Sequence, residues 1–142
     1  MDDQELLRRL LDSKETDPIL RWRFVLSRVH GLIQRRCYLE AVAELEQLVA
    51  SFEGQHGTAD ERYRPMVLAR LSECLFHLGR FAEALQPTEA ALEHCEQAGD
   101  ENGVVANLGN LVEIRRCLGQ HLLAERLAER RARLVEGMRR PV

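Results

Sequence analysis

The chain has 142 residues, a formal net charge of −3, and 45% hydrophobic, 30% charged and only 5% aromatic residues. These values suit one soluble globular domain long enough to bury a core, and the dominance of Leu, Ala, Glu and Arg favours helix over sheet. No apolar run is long enough for a bilayer-spanning helix, which excludes that class of membrane protein.

Taken in order, "DDQELLRRLLDS" sets Leu6, Leu7, Leu10 and Leu11 on one stripe behind acidic residues, predicting a short amphipathic helix over residues 1–15. "TDPILRW" supplies a helix start, with Asp17 as cap and Pro18 at the first helical position, where the missing N–H costs nothing. The helical pattern then runs to about Arg36, and a second from about Tyr38 to Phe52 places Ala41, Leu45, Leu48 and Val49 inward. "EGQHGTAD" reads as a loop. A third long helix is settled by Pro65 and ends before Gly79, with Leu68, Leu71, Leu75 and Leu78 inward. A fourth spans about Phe81 to Gln97, and its Pro87 predicts a kink between Glu83 and Pro87. The fifth, capped by Asp100, covers about Gly103 to Leu118, and the sixth about Gln120 to Met138. No segment alternates with a period of two, so the expected class is all-α.

The helices repeat. With Gly79 set against Gly119, Leu68 falls on Leu108, Leu71 on Leu111, Leu78 on Leu118 and Ala84 on Ala124, a period of 40 residues. A fainter upstream copy sets Ala41 on Ala84, with Val25 and Leu32 at the Leu68 and Leu75 positions. Each small residue stands where two helices must approach closely, and each leucine fills the layer between units.

"LGRFAEALQPTEAALE" resembles the central signature of the tetratricopeptide repeat family, through Gly79, Phe81, Ala84 and Ala91. "AGDENGVVANLGNL" resembles a longer subtype of about forty residues per repeat, the Leu-Gly-Asn and kinesin-light-chain-like one. The resemblance implies a right-handed α-solenoid of three helical hairpins, over residues 18–53, 60–98 and 100–138 of a domain spanning 16–139, preceded by the short N-terminal helix. This chain departs from the pattern at Arg36, which stands at the turn-glycine position, at Thr88, usually a large apolar residue, and at Arg131, usually a small one. Pro87 is one place later than the proline that related helices tolerate.

In such repeats the first helix of each unit lines a concave face that binds peptides. Position by position, the resemblance places Arg23, His30 and Gln34 on that face from the first unit. Glu73, Phe76 and His77 come from the second, and Asn110, Glu113 and Arg116 from the third. Asn110 is similar to the asparagines that bond a bound peptide's backbone, because its amide both donates and accepts.

Other chemistry has little support. Cys74 and His77, with His94 and Cys95, have the ligand types of a zinc site. Helical rise nevertheless separates the two pairs by roughly 10 Å along a hairpin, so no metal or other cofactor is expected. There is no phosphate-binding Gly-rich loop, nucleophile elbow or His-Glu-x-x-His, and Cys74 beside His77 reads as a structural thiol rather than a nucleophile. No enzymatic activity is expected.

Charge is graded: residues 37–102 carry 4 basic and 13 acidic groups, whereas residues 115–142 carry 8 basic and 3 acidic ones. No aromatic residue interleaves the C-terminal arginines, so nucleic acid is not an expected partner. Cys37, Cys74, Cys95 and Cys117 are scattered and read as reduced thiols. Met1 leads straight into acidic residues, so no signal peptide is expected. The expectation is a bacterial, cytoplasmic adaptor, scaffold or regulator that binds a protein or peptide segment. The alternative is a self-assembling subunit, a homodimer through a terminal helix, because Leu123, Leu127, Leu134 and Met138 form an apolar stripe that Ala124, Ala128 and Val135 widen.

Overall fold

The structure is a computed structural model, and it describes residues 18–51 and 58–139 together with Asp2 and Glu5. The helix expected over residues 1–15 lies outside the described residues apart from those two positions, as does most of the loop expected over 53–60. Within the described stretches 18–51 and 58–139, six helices follow one another: α1 (Pro18–Gln34), α2 (Tyr38–Ser51), α3 (Thr58–His77), α4 (Phe81–Ala98), α5 (Glu101–Cys117) and α6 (His121–Arg139). No strand occurs among the described residues. Each helix packs on its successor, and α1 also touches α3.

What closes α1, α3, α4 and α5 is a single left-handed residue. Arg36 (φ 60°), Gly79 (75°), Gly99 (68°) and Gly119 (75°) all have positive φ, and the bonds around them are the same four times over. The left-handed residue donates three residues back: Arg36 N–H to the Ile33 carbonyl at 2.9 Å, Gly79 to Phe76 at 3.0 Å, Gly99 to Glu96 at 3.2 Å, Gly119 to Arg116 at 3.0 Å. Its successor donates five back: Cys37 to Leu32 at 2.8 Å, Arg80 to Leu75 at 2.9 Å, Asp100 to Cys95 at 2.9 Å, Gln120 to Arg115 at 2.8 Å. This double closure satisfies carbonyls that the ending helix would otherwise orphan, and turns the chain within three residues. Arg36, the apparent departure from the turn glycine, adopts the glycine's conformation.

Five residues beyond three of these closures comes an alanine. Ala41, Ala84 and Ala124 are at most 1% exposed, and each donates to the carbonyl of the residue beginning its helix's first turn, Cys37, Arg80 and Gln120 respectively. A methyl group is the largest side chain that lets the two helices of a turn approach so closely.

The main core is built on α1 to α4. Trp22, Val25, Val29, Leu45, Leu48, Val67 and Cys74 are essentially inaccessible within it, and Ile114 reaches it from α5. A second cluster of Leu92, Cys95, Val104, Leu108 and Leu111 takes Leu127 and Leu134 of α6 as its lid. Trp22, the only tryptophan, is fully buried and is the largest apolar contribution, a position that helical spacing alone does not rank above its neighbours. Arg28 Nε donates to Glu44 Oε1 at 2.6 Å, tying α1 to α2 through a pair largely shielded from water.

Four positions singled out in the sequence, Pro65, Pro87, Thr88 and Arg131, take the following places in the structure. Helix α3 begins at Thr58, inside the expected loop, because Pro65 removes only one backbone hydrogen bond while Ala59, Glu61 and Arg62 favour helix upstream of it. Pro87 is buried within α4, which runs unbroken from Phe81 to Ala98. Thr88 is fully buried because α3 supplies a partner: its hydroxyl is bonded to that of Ser72 and also donates to the Ala84 carbonyl at 2.8 Å. Arg131, the large residue at a small-residue position, lies over Gly109, where an added Cβ would sit 3.2 Å from its Nε. That Nε donates to the Val105 carbonyl at 3.1 Å.

The closures make a prediction with opposite signs at equivalent positions. A left-handed conformation costs a non-glycine residue about 1–2 kcal/mol, partly offset by the freedom glycine gains when unfolded. Arg36→Gly should therefore stabilise by about 0.5–1 kcal/mol. Gly79→Ala should destabilise by about 1 kcal/mol, although a Cβ there would meet nothing within 4 Å. Urea denaturation of the two variants checks this; a loss of stability in Arg36→Gly would disprove it.

Candidate functional site

Helices α3 and α5 face one another across a recess of about 180 Å³ lined by Ser72, Glu73, Phe76, His77, Asn110, Glu113 and Ile114. The spacing explains the grouping. Residues 72, 73, 76 and 77 form one stripe of α3, and residues 110, 113 and 114 one stripe of α5, since positions three and four apart share a helix face. The floor is tight, with Ser72 2% and Ile114 1% exposed, while the rim residues His77, Asn110 and Glu113 are open to water.

Aromatic contacts fix one wall. Phe76 meets Phe81 edge-on with centroids 5.3 Å apart, and meets His77 at 6.1 Å and 87°. The His77 ring stacks on Tyr38 at 4.7 Å and 9°. The side chain at the first turn of α2 thus holds the imidazole at the rim, so the closure after α1 contributes to the wall of a recess two helices further on. Stacked and edge-on pairs of this kind contribute about 0.5–1.5 kcal/mol beyond their burial.

The carboxylates on the two walls have matching environments. Glu73 Oε2 accepts from Arg70 at 2.9 Å and Glu113 Oε1 from Arg116 at 3.0 Å. Each arginine lies three residues away on the same helix and outside the recess. Exposed pairs of this type contribute about 0.2–1 kcal/mol, enough to orient a carboxylate but not to lock it.

Of the nine residues expected on a concave face, five line this recess: Glu73, Phe76, His77, Asn110 and Glu113. Arg116 lies beside it, bonded to Glu113 and lining a shallower depression with Gly109, Ala128 and Arg131. Arg23, His30 and Gln34 are exposed on α1 and do not line it. Ser72, Ile114 and the support from Tyr38 were not expected. Ser72 lies one turn before Phe76, so the period of 3.6 already put it on the stripe, and a hydroxyl among leucines was the signal.

The cysteine and histidine candidates stand in different surroundings. Cys74 is fully buried and Cys95 nearly so, whereas Cys37 is half-buried and Cys117 exposed. Burial, reinforced by the charge of Glu73, pushes the Cys74 thiol up to about 11. Burial also raises the Cys95 thiol, with Asp100 adding to it. Cys95 receives a weak hydrogen bond from Asn107 Nδ2 at 3.7 Å. Among the described residues no group of three or more His, Cys, Asp or Glu side chains is arranged to hold a metal ion, and no helix is long and apolar enough to cross a membrane.

Because the Cys74 thiol is harder to ionise when folded than its ordinary value of 9.0, its contribution to stability is complete below pH 9. That contribution is lost as pH rises toward 11. Wild type should lose stability across that window more steeply than Cys74→Ala, measured by urea denaturation at pH 8, 9 and 10. Identical pH slopes would refute the assignment.

No family model, curated protein or solved structure matches the chain.

Proposed function

We propose that the chain is a non-enzymatic protein-interaction module: a tetratricopeptide-like, right-handed solenoid of three hairpins that holds a peptide segment of another protein between α3 and α5. One observation carries this reading. Two helices separated by a whole repeat period present the same kind of stripe to one recess, with an apolar floor, an aromatic wall and hydrogen-bonding groups at the rim. That combination, apolar depth with few convergent polar groups, is what a recognition pocket requires. The Asn110 amide at the rim can donate to and accept from a peptide backbone at once. An adaptor or scaffold in the cytoplasm is the setting in which such a module would act.

Peptides selected from a displayed random library against the wild-type chain should bind at the recess. Asn110→Ala should weaken them by about 0.5–1.5 kcal/mol, the worth of a neutral hydrogen bond, while the thermal transition stays in place because Asn110 is exposed. Loss of the transition would make Asn110 a folding residue and remove the basis of the reading.

A second reading, self-association through α6, draws on the exposure of Leu123 (45%) and Met138 (41%) at the two ends of the apolar stripe, whose middle, Leu127 and Leu134, packs on the second cluster. Burying this edge against a second copy would gain about 25 cal/mol per Å² of apolar area. Sedimentation from 1 to 100 µM should then show a dimer on the order of micromolar affinity that Leu123→Glu dissolves. A monomer at every concentration would dispose of it.

A further inference from the structure

Resting on the peptide-binding reading, we infer that the recess between α3 and α5 selects a cationic side chain, arginine or lysine, of the bound segment. Among the described residues, the formal charges on its walls are those of Glu73 and Glu113, and no guanidinium or ammonium lines it. Arg70 and Arg116 hold those carboxylates from outside, each through one oxygen only: Glu73 Oε2 and Glu113 Oε1. Among the described residues the second oxygen of each carboxylate takes no hydrogen bond, so two acceptors remain, one on each wall. The Asn110 amide oxygen adds a neutral acceptor to the same lining.

The remaining surface suits the stem of such a side chain. Ile114 and Phe76 offer an apolar floor and a ring to the methylene groups, and arginine and lysine habitually bury their stems along apolar surface while the charged head reaches polar groups. The face of Phe76 can also attract a cation. A volume of about 180 Å³ admits one long side chain rather than a folded element. An acidic side chain would meet two carboxylates at the same place, and that repulsion rejects the wrong partner as effectively as attraction selects the right one. The surrounding stretch agrees in sign: residues 37–102 hold 13 acidic groups against 4 basic ones, a field that draws basic segments toward the recess.

The test uses the full chain and a displayed library of random peptides. Selected peptides weakened by Asn110→Ala define recess binders, and these should share an Arg or Lys at one position. Replacing that residue by norleucine should weaken binding about tenfold, as expected for a hydrogen bond to a charged group. The Glu73→Gln/Glu113→Gln double variant should weaken the parent peptide similarly and leave its norleucine analogue unchanged. Recess binders that are acidic or uncharged, or whose affinity is indifferent to the double variant, would overturn the cation selectivity and leave peptide binding standing. No binders, or binders indifferent to Asn110→Ala, would overturn both. Should the double variant fail to fold, the norleucine comparison on the wild-type chain decides the matter alone.

Discussion

The left-handed closure is the constraint from which the rest of this structure follows. A helix that ends in the usual way leaves its last carbonyls to water and its exit direction undetermined. Here a residue with positive φ ends α1, α3, α4 and α5, and the same pair of backbone bonds fixes the direction of the chain each time. The next helix is aimed back along its predecessor, and wherever Ala41, Ala84 or Ala124 follows, it can lie close against it. Leucines on both helices then fill one layer, and neighbouring layers share residues, as when Ile114 of α5 joins the core built on α1 to α4.

The recess is a product of the same geometry. Two closures separate α3 from α5, and together they return the chain to a position where the outer stripe of one helix looks across at that of the other. Neither stripe encloses anything by itself. The third participant, Tyr38, stands just after the closure at Arg36 and holds His77 by stacking. Rigid placement by tightly closed turns lowers the ordering cost of binding a peptide, which falls mainly on the peptide.

Much of this was legible in the sequence, for reasons that differ by feature. Helix ends were readable because the closures favour glycine, and Gly79, Gly99 and Gly119 stand where the apolar periodicity stops. The alanines were readable because close approach admits nothing larger. Five of the seven lining residues were expected from the resemblance to tetratricopeptide repeats, and on each helix spacing puts them on one stripe. What spacing cannot reveal is how side chains on different helices complement one another. Thr88 and Arg131 each break a rule within their own helix and satisfy it across an interface, with Ser72 and Gly109 as their complements. Arg23, His30 and Gln34 obey the same spacing on α1, yet the recess lies between α3 and α5, and facing helices cannot be chosen from periodicity.

The Ser72 and Thr88 hydroxyls have a consequence for alignment between helices. Leucine layers tolerate sliding, because one apolar side chain substitutes readily for another a turn away. Two hydroxyls buried between α3 and α4 do not: Thr88 is fully inaccessible and Ser72 is 2% exposed, and displaced by one turn each would face hydrocarbon. Thr88 keeps its bond to the Ala84 carbonyl of its own helix in either setting, but Ser72 would lose its partner, which costs a buried hydroxyl about 1–3 kcal/mol, so a slipped packing of α4 on α3 is penalised. The pair works as a vernier mark, recording the one longitudinal setting of the two helices at which Phe76 meets Phe81.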